Sequence, residues 1–114
     1  YPEADIGKVA ITIQEHFDNG FISNAYLDGV LVGSVGAMET EWWFSKEKFL
    51  AETWLYILPK YRTFKIVRGL LKKMKEYAKN KDLTILLPVS SGRDKPALYE
   101  RLGFKHMGNI WRYK

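Results

Sequence analysis

Residues 51–81 read AETWLYILPKYRTFKIVRGLLKKMKEYAKNK, and they combine two periodicities. The run from Ala51 to Leu58 is apolar, aromatic and β-branched, which predicts a strand buried on both faces. Pro59 ends the run, because proline cannot donate to a strand ladder. From Ile66 the apolar residues return every three or four positions, as on one face of a helix. The pattern predicts a central strand that leads into a helix through a short turn.

The turn between strand and helix, KYRTFK, is basic. Arg62 and Lys65 lie in it and Arg68 follows it. The first amides of a helix have no partner within the helix, so they and the helix dipole favour an anion. Cationic side chains add charge-assisted hydrogen bonds to phosphate oxygens. The turn therefore predicts a phosphate or diphosphate site, with a merely solvated helix start as the alternative.

A second motif, ALYERLGF, occupies residues 97–104. Together the two segments resemble the GNAT superfamily of acyl-CoA-dependent N-acyltransferases, and the resemblance covers roughly residues 24–114. The second motif is similar to the family's Tyr-x-x-x-Gly-Phe segment. The first matches at these positions: Leu55, Ile57, Pro59, Tyr61, Arg62, Leu70 and Leu71.

The chain departs from the family in the turn itself. Where the family has Arg/Gln-x-x-Gly-x-Gly/Ala, the small residues are replaced here by Thr63, Lys65 and Val67. Glycine lets a backbone approach a diphosphate closely. We interpret Lys65 as a side-chain cation that takes over from this close backbone approach.

The resemblance implies one domain over residues 1–114 with an α/β (α+β) fold. Its central sheet would be mixed, mostly antiparallel and flanked by helices, with a splayed parallel pair of strands at the cofactor site. The chain starts at Tyr1 and enters a predicted helix almost at once. It is therefore compatible with a family member whose first strand is missing.

Other elements follow from local patterns. Asp28-Gly29 predicts a hairpin between strands at residues 22–27 and 30–38. A helix at 4–18 would present one apolar stripe, formed by Ile6, Val9, Ala10, Ile13 and Phe17. His16 lies beside that stripe and has no partner His or Cys nearby, so we interpret it as an ordinary surface or packing histidine.

The remaining segments are shorter. Residues 45–49 predict a single helical turn, and 83–89 predict a buried strand parallel to the central one. A helix at 96–102 would be capped by Ser91 or Asp94 and ended by Gly103. Residues 104–109 and 110–113 predict a closing pair of strands.

Composition restricts the chemistry and the compartment. With no cysteine, the chain has no disulfide, thiolate metal site or cysteine nucleophile, and it suits a reducing cytoplasm. No run reaches the roughly 18 apolar residues of a membrane span, so we expect no membrane partner. We also expect no metal cofactor.

The charges are segregated along the chain. Residues 1–59 carry nine carboxylates and three lysines, a net −6, whereas residues 60–82 carry nine cations and two acids, a net +7. This layout fits a polyanionic cofactor and an amine-bearing acceptor held by different parts of the protein. The plainer interpretation, a solvated helix face, is favoured for five lysines: Lys72, Lys73, Lys75, Lys79 and Lys81. Nucleic acid is a less favoured partner.

The resemblance also implies the donor and its contacts. The donor would be acetyl-CoA or another short acyl-CoA, with its pantetheine arm along the backbone of Tyr56, Ile57 and Leu58. The diphosphate would lie at the turn and the helix start, formed by Arg62, Thr63, Phe64, Lys65, Ile66 and Val67.

Catalysis in the family is direct attack of an amine on the thioester. Tyr99 aligns with the family tyrosine that reprotonates the thiolate, although a tyrosine at this helical position also suits core packing. Glu52 is the candidate general base. Counted back from Pro59 it falls on the wrong face of the strand, unless a bulge restores the parity. Glu39 and Glu41 are rival bases.

The sequence thus predicts an acyl-CoA-dependent N-acetyltransferase acting on a primary amine of a small molecule or peptide, and it is compatible with a homodimer. The alternative is a catalytically inactive domain of this fold, whose lysine-rich helix binds nucleic acid or a protein. The replaced glycines favour the alternative. Arg62, Tyr99 and Gly103-Phe104 favour the enzyme.

Overall fold

In the part of the chain that the structure describes, helices pack against a four-stranded sheet. The computed structural model describes residues 3–87, 96–105, 107 and 113. The strands lie in the order β1-β2-β3-β4, antiparallel except for the parallel pair β3 and β4. The predicted mixed, mostly antiparallel sheet is therefore confirmed. In chain order the elements are α1 (Ile6–Asn19), β1 (Gly20–Leu27), β2 (Val30–Glu41), β3 (Lys48–Ile57), a 3-10 turn (Pro59–Tyr61), α2 (Phe64–Asn80), β4 (Thr84–Leu86) and α3 (Pro96–Arg101).

The hairpin between β1 and β2 turns at Asp28-Gly29, as predicted. Both residues have positive φ, 50° and 80°, which matches the twist of the flanking strands. Strand β2 continues to Glu41, three residues beyond its predicted end.

The helical turn predicted at residues 45–49 is wrong. Lys48 pairs with Glu41 and Phe49 pairs with Thr40, so β3 begins here and a short loop connects it to β2. The loop is closed by a hydrogen bond from the Trp42 amide to the Glu47 carbonyl, 3.2 Å. Cross-strand pairing thus outweighs the weak local preference for a helix.

Strand β3 is not buried on both faces, contrary to the prediction. One face packs against α2, but on the other face Thr53 is exposed and Tyr56 is 52% exposed. The aromatic residues of this strand therefore lie at a surface that α1 covers only in part.

Helix α2 supplies the core. It begins two residues before its predicted start and is capped by Thr63, whose hydroxyl accepts from the Ile66 amide, 3.4 Å. Its buried residues have the predicted spacing of three and four. They pack in one cluster with buried residues of β2 and β3, and the cluster includes Leu70, Leu71, Met74, Ala78, Val35, Ala37, Leu50 and Ile57.

Helix α1 forms as predicted, but its apolar stripe does not enter the core. Ile6 is 84% exposed and Phe17 is 67% exposed, whereas His16 is only 3% exposed. The helix packs on the sheet through His16, so part of the stripe faces solvent.

The last part of the chain agrees with prediction only in part, because the described residues of the predicted closing strands, 104, 105, 107 and 113, lie in no strand. Strand β4 pairs in parallel with β3, although the described strand is shorter than residues 83–89. Gly103 ends α3 with a φ of 88°. The proposed caps of α3 and most of the two closing strands lie outside the described residues. None of the helices in the described part of the chain is long and apolar enough to cross a membrane.

A β-bulge interrupts the pairing of β2 with β3. Gly36 pairs with Trp54 and Ala37 pairs with Glu52, so Thr53 is the additional residue. The Trp54 indole lies directly over Gly36 and donates its Nε1–H to the Ser34 hydroxyl, 2.9 Å. A Cβ atom at position 36 would overlap the indole ring.

We expect Gly36→Ala to destabilise the protein by about 2 kcal/mol, because the indole and its hydrogen bond must shift to accommodate a methyl group. Urea denaturation measures the change. Gly69→Ala is the matched control: a Cβ atom there meets no other atom within 4 Å, and the residue lies in α2. That variant should gain about 0.5–1 kcal/mol. Equal effects at both positions would contradict the packing described here.

Candidate active site

The bulge determines where Glu52 points. Directly paired residues of antiparallel strands share a face, and the Glu52 partner Ala37 is fully buried in the core cluster. Glu52 therefore lies on the α2 face of the sheet, and the bulge restores the parity that the sequence left open. Its side chain is half-buried. Burial raises the pKa of Glu52 to about 7.

The pairing of β3 with β4 ends next to this glutamate. The described pairs run only from Phe49 with Thr84 to Ala51 with Leu86. Within the described residues, the edge of β3 from Glu52 to Ile57 has no strand partner on that side. The end of the described pairing at Ala51 and Leu86 agrees with the splayed parallel pair that the resemblance implied.

Arg62 lies at the far end of this open edge. Its Nε donates to the Ile57 carbonyl, 2.9 Å, and its guanidinium lies 5.5 Å from the centre of the Tyr56 ring. The side chain nevertheless remains exposed. Arg62 is thus held beside the backbone of Tyr56, Ile57 and Leu58, which the sequence assigned to the pantetheine arm.

The start of α2 completes a site suited to an anion. Lys65 is exposed and the first turn of α2 contains no acidic residue. The side chains of Phe64, Ile66 and Val67 pack against the core instead. The amides of Ile66 and Val67 already bond to Thr63, so at this turn the protein can offer an anion the first two amides of α2 and the side chains of Arg62, Thr63 and Lys65.

Tyr99 lies in α3, half-buried, with its ring edge-on to Phe104 at a centroid distance of 6.4 Å. Its carbonyl accepts from the Phe104 amide, 3.0 Å, which closes the end of the helix. Arg101 of the same helix lies 4.1 Å from the centre of the Phe64 ring. Helix α3 is therefore docked against the start of α2, next to the proposed anion site.

The rival bases lie in other surroundings. Glu39 forms an ion pair with Lys81, 3.4 Å. Glu41 is exposed at the end of β2, where it pairs with Lys48. Five lysines are exposed, as predicted: Lys72, Lys73, Lys75, Lys79 and Lys81. Lys75 also donates to the Leu102 carbonyl and so links α2 to the end of α3.

The sequence did not reveal the contact between buried His16 and exposed Thr53. His16 Nε2 lies 2.6 Å from the Thr53 hydroxyl, and the imidazole packs on Trp54 at a ring-centroid distance of 4.7 Å. The two residues are 37 positions apart, and Thr53 faces His16 only because of the bulge. No local pattern could have identified this pair.

The comparisons with solved structures agree with this architecture. Aminoglycoside N-acetyltransferase AAC(6')-Iy, in complex with the bisubstrate analogue CoA-S-monomethyl-acetylneamine, aligns with a TM-score of 0.77 and 16% identity over 100% of this chain and 82% of its own. A predicted acetyltransferase from Clostridium acetobutylicum, with bound acetyl-CoA, aligns with a TM-score of 0.77 and 19% identity. The alignment covers 100% of this chain and 78% of that protein. The apo form of the aminoglycoside 6'-N-acetyltransferase AAC(6')-IG from Acinetobacter haemolyticus aligns with a TM-score of 0.74 and 15% identity. The alignment covers 99% of this chain and 83% of that protein.

At these identities the structural matches show the fold alone. A search of the curated proteins finds no match. The family model described as "Acetyltransferase (GNAT) family" matches residues 2–104, nearly the whole chain. The strand, bulge, open edge and basic helix start described above all lie within that match, and the chain belongs to the GNAT acetyltransferase family.

Proposed function

We propose that this protein transfers an acetyl group from acetyl-CoA to a primary amine. The observation that carries the proposal is the position of Arg62 and Lys65, two exposed cations at the start of α2 and beside the open edge of β3. Family membership supports acyl transfer in general. Two of the similar structures contain CoA-derived or acetyl-CoA ligands, which supports acetyl-CoA as the donor.

The residues present fit the donor. Arg62 and Lys65 would bind the diphosphate together with the amides at the start of α2 and the Thr63 hydroxyl. The backbone of Tyr56, Ile57 and Leu58 would lie along the pantetheine arm. Bound acetyl-CoA supplies the thioester carbonyl that the amine attacks.

Two side chains would carry out the proton transfers of the reaction. Glu52 would accept the proton that the attacking amine loses, and a pKa of about 7 suits a base that works near neutral pH. Tyr99 would donate its hydroxyl proton to the sulfur as the carbon–sulfur bond breaks. The acceptor would be a small molecule or peptide, and the cysteine-free composition fits a cytoplasmic enzyme.

The direct test is release of CoA thiol when the protein is mixed with acetyl-CoA and an amine, with the N-acetylated product identified by mass spectrometry. The panel should include aromatic amines, polyamines, aminoglycosides and peptides. We expect thiol release that depends on both substrates. Absence of acetylated product from every class would overturn the proposal.

We expect Tyr99→Phe to lower turnover about 10- to 100-fold while the affinity for acetyl-CoA stays nearly unchanged, because only a proton donor is removed. Thiol-release kinetics and a CoA titration measure the two quantities. Tyr26→Phe, at an exposed position of β1, is the control. Unchanged turnover in Tyr99→Phe would assign this tyrosine to packing.

A further inference from the structure

A basic cleft lies between α2 and α3. It has a volume of about 250 Å³. Four exposed cationic side chains border it from the two helices, namely Arg68, Lys72, Lys75 and Arg101. Glu76, the only acidic residue of α2, does not line the cleft. Within the described residues none of the four cations forms an ion pair, so no carboxylate neutralises their charges directly.

Two of these cations are held in place without losing their charge. Lys75 donates to the Leu102 carbonyl, and its ammonium lies 5.1 Å from the centre of the Phe104 ring. The Arg101 guanidinium lies 4.1 Å from the centre of the Phe64 ring. Carbonyl and aromatic partners carry no net charge, so both cations can still attract an anion. Because they are already positioned, less side-chain freedom is lost when an anion binds.

The cleft is part of a longer row of cations on α2. Arg68, Lys72, Lys75 and Lys79 follow one another at spacings of four, three and four residues, which places them on one helix face. We call these four residues the α2 stripe. It is about 16 Å long along the helix axis, and all four side chains are exposed. Like charges at these spacings repel one another, so the stripe favours a partner with several negative charges in a row.

The structure divides the five lysines that the sequence assigned to a solvated face. Three of them lie in the α2 stripe, whereas Lys81 pairs with Glu39 and Lys73 lies on another side of the helix. Arg101 joins the stripe only in the folded protein, because it belongs to α3. This clustering favours a binding surface over a solvated face.

The arrangement suits the phosphate backbone of a nucleic acid duplex. Each strand of a duplex carries one phosphate per about 3.4 Å of its axis, so it can supply a phosphate to every cation along the stripe. The diphosphate of CoA is too short to do so. Phe64 and Phe104 are half-buried and lie against Arg101 and Lys75, so they are poorly placed to stack on the bases of a single strand.

An acidic protein suits this surface less well. Protein interfaces are usually centred on apolar or aromatic side chains that the partner buries. The apolar residues that line the cleft, Leu71 and Leu102, are already buried in the protein, at 0% and 8% exposure. The α2 stripe therefore offers charge without an apolar anchor.

We propose that the α2 stripe, together with Arg101, binds the phosphate backbone of double-stranded nucleic acid without preference for sequence. Contacts from lysine and arginine to phosphate carry no sequence information. The stripe begins at Arg68, beyond the residues assigned to the diphosphate of CoA. This binding is a function additional to acyl transfer and does not depend on it.

The test is fluorescence anisotropy with a labelled DNA duplex of about 20 base pairs, titrated with the full chain in the absence of acetyl-CoA. We expect a Kd of about 1–10 µM at about 50 mM salt, and an affinity that falls with salt with a logarithmic slope close to −4. A duplex of unrelated sequence and an RNA duplex should each bind within about threefold of the first.

The variant Arg68→Gln, Lys72→Gln removes two cations of the stripe that form no hydrogen bond with the described residues. It should weaken duplex binding at least about tenfold and reduce the salt slope by about 2. Lys46→Gln, Lys48→Gln removes the same charge at exposed positions before and at the start of β3, and should bind within about twofold of the wild type. Circular dichroism verifies that each variant is folded.

Several results would overturn the inference. They include no binding at about 100 µM protein, equal affinities of the two variants, and displacement of the duplex by polyglutamate at equal total charge. If Arg68→Gln, Lys72→Gln weakens CoA binding but leaves duplex binding unchanged, the cleft serves the donor and the inference is also wrong. Failure of the thiol-release assay would overturn the proposed transferase function alone, because duplex binding is measured without acetyl-CoA.

Discussion

Glu52→Gln is expected to lower kcat/KM for the amine about 100-fold or more, and to remove its rise with pH. The carboxylate is the base in the proposed reaction, and general bases typically contribute this much. Since burial raises the pKa of Glu52 to about 7, the wild-type rate should rise through that pH as the base ionises. Glutamine keeps the shape of the side chain but cannot accept the proton.

Thiol-release assays between pH 5 and 9 measure this profile. Glu47→Gln, at an exposed position of the loop between β2 and β3, is the control and should keep the wild-type profile. If Glu52→Gln retains both the rate and its pH dependence, the base is another group or solvent and not Glu52.

The stability of the same variant separates catalysis from folding. The folded state holds the Glu52 proton up to about pH 7, whereas the unfolded chain loses it near the ordinary value of 4.5. Wild-type stability should therefore fall as the pH rises between these values, by at most about 3 kcal/mol, and by less because water screens a partly buried carboxyl. Thermal unfolding should find Glu52→Gln more stable than the wild type at pH 8 and similar to it at pH 4.

The double variant Arg62→Ala, Lys65→Ala is expected to weaken CoA binding about 100-fold. Each cation would contribute a charge-assisted contact to the diphosphate, and each such contact accounts for about a tenfold change in affinity. Pantetheine lacks the diphosphate, so its affinity should change by no more than about twofold. Isothermal titration calorimetry with both ligands measures the difference.

The control for net charge is Lys46→Ala, Lys79→Ala, which removes two exposed cations elsewhere. Lys65→Ala alone is a further check, because the Lys65 side chain forms no hydrogen bond or ion pair with the described residues. This variant should weaken CoA binding about tenfold. Arg62 also bonds the Ile57 carbonyl, so its loss could disturb β3. Equal losses for CoA and pantetheine would show that the turn does not bind the diphosphate.

Local sequence patterns predicted the elements around the site whose signals lie within a few neighbouring residues. Pro59 and the change of period at Ile66 located the strand, the turn and α2, and Asp28-Gly29 located the hairpin. Glu52 could lie on the α2 face of the sheet only if a bulge interrupted β3 between Glu52 and Pro59, and the structure contains a bulge at Thr53. The strand, the turn, α2 and the hairpin depend on residues close together in the chain, whereas the bulge depends on the pairing of β2 with β3.

The remaining features depend on tertiary contacts. Thr53 meets His16 only after α1 is placed against the sheet, and Trp54 lies over Gly36 only after β2 and β3 are in register. The helical turn predicted at residues 45–49 was overridden by the same register, which extends β3 back to Lys48. A one-dimensional pattern contains no information on such contacts.

The central claim is that Arg62 and Lys65 make the start of α2 a site for the diphosphate of CoA. The most direct measurement is calorimetric titration of the wild-type protein with CoA at low salt, with pantetheine as the comparison. We predict saturable heat with a Kd well below about 1 mM for CoA, and weaker binding for pantetheine. No heat at millimolar CoA would contradict the account, and would favour a GNAT-like domain that binds other partners through its lysine-rich helix.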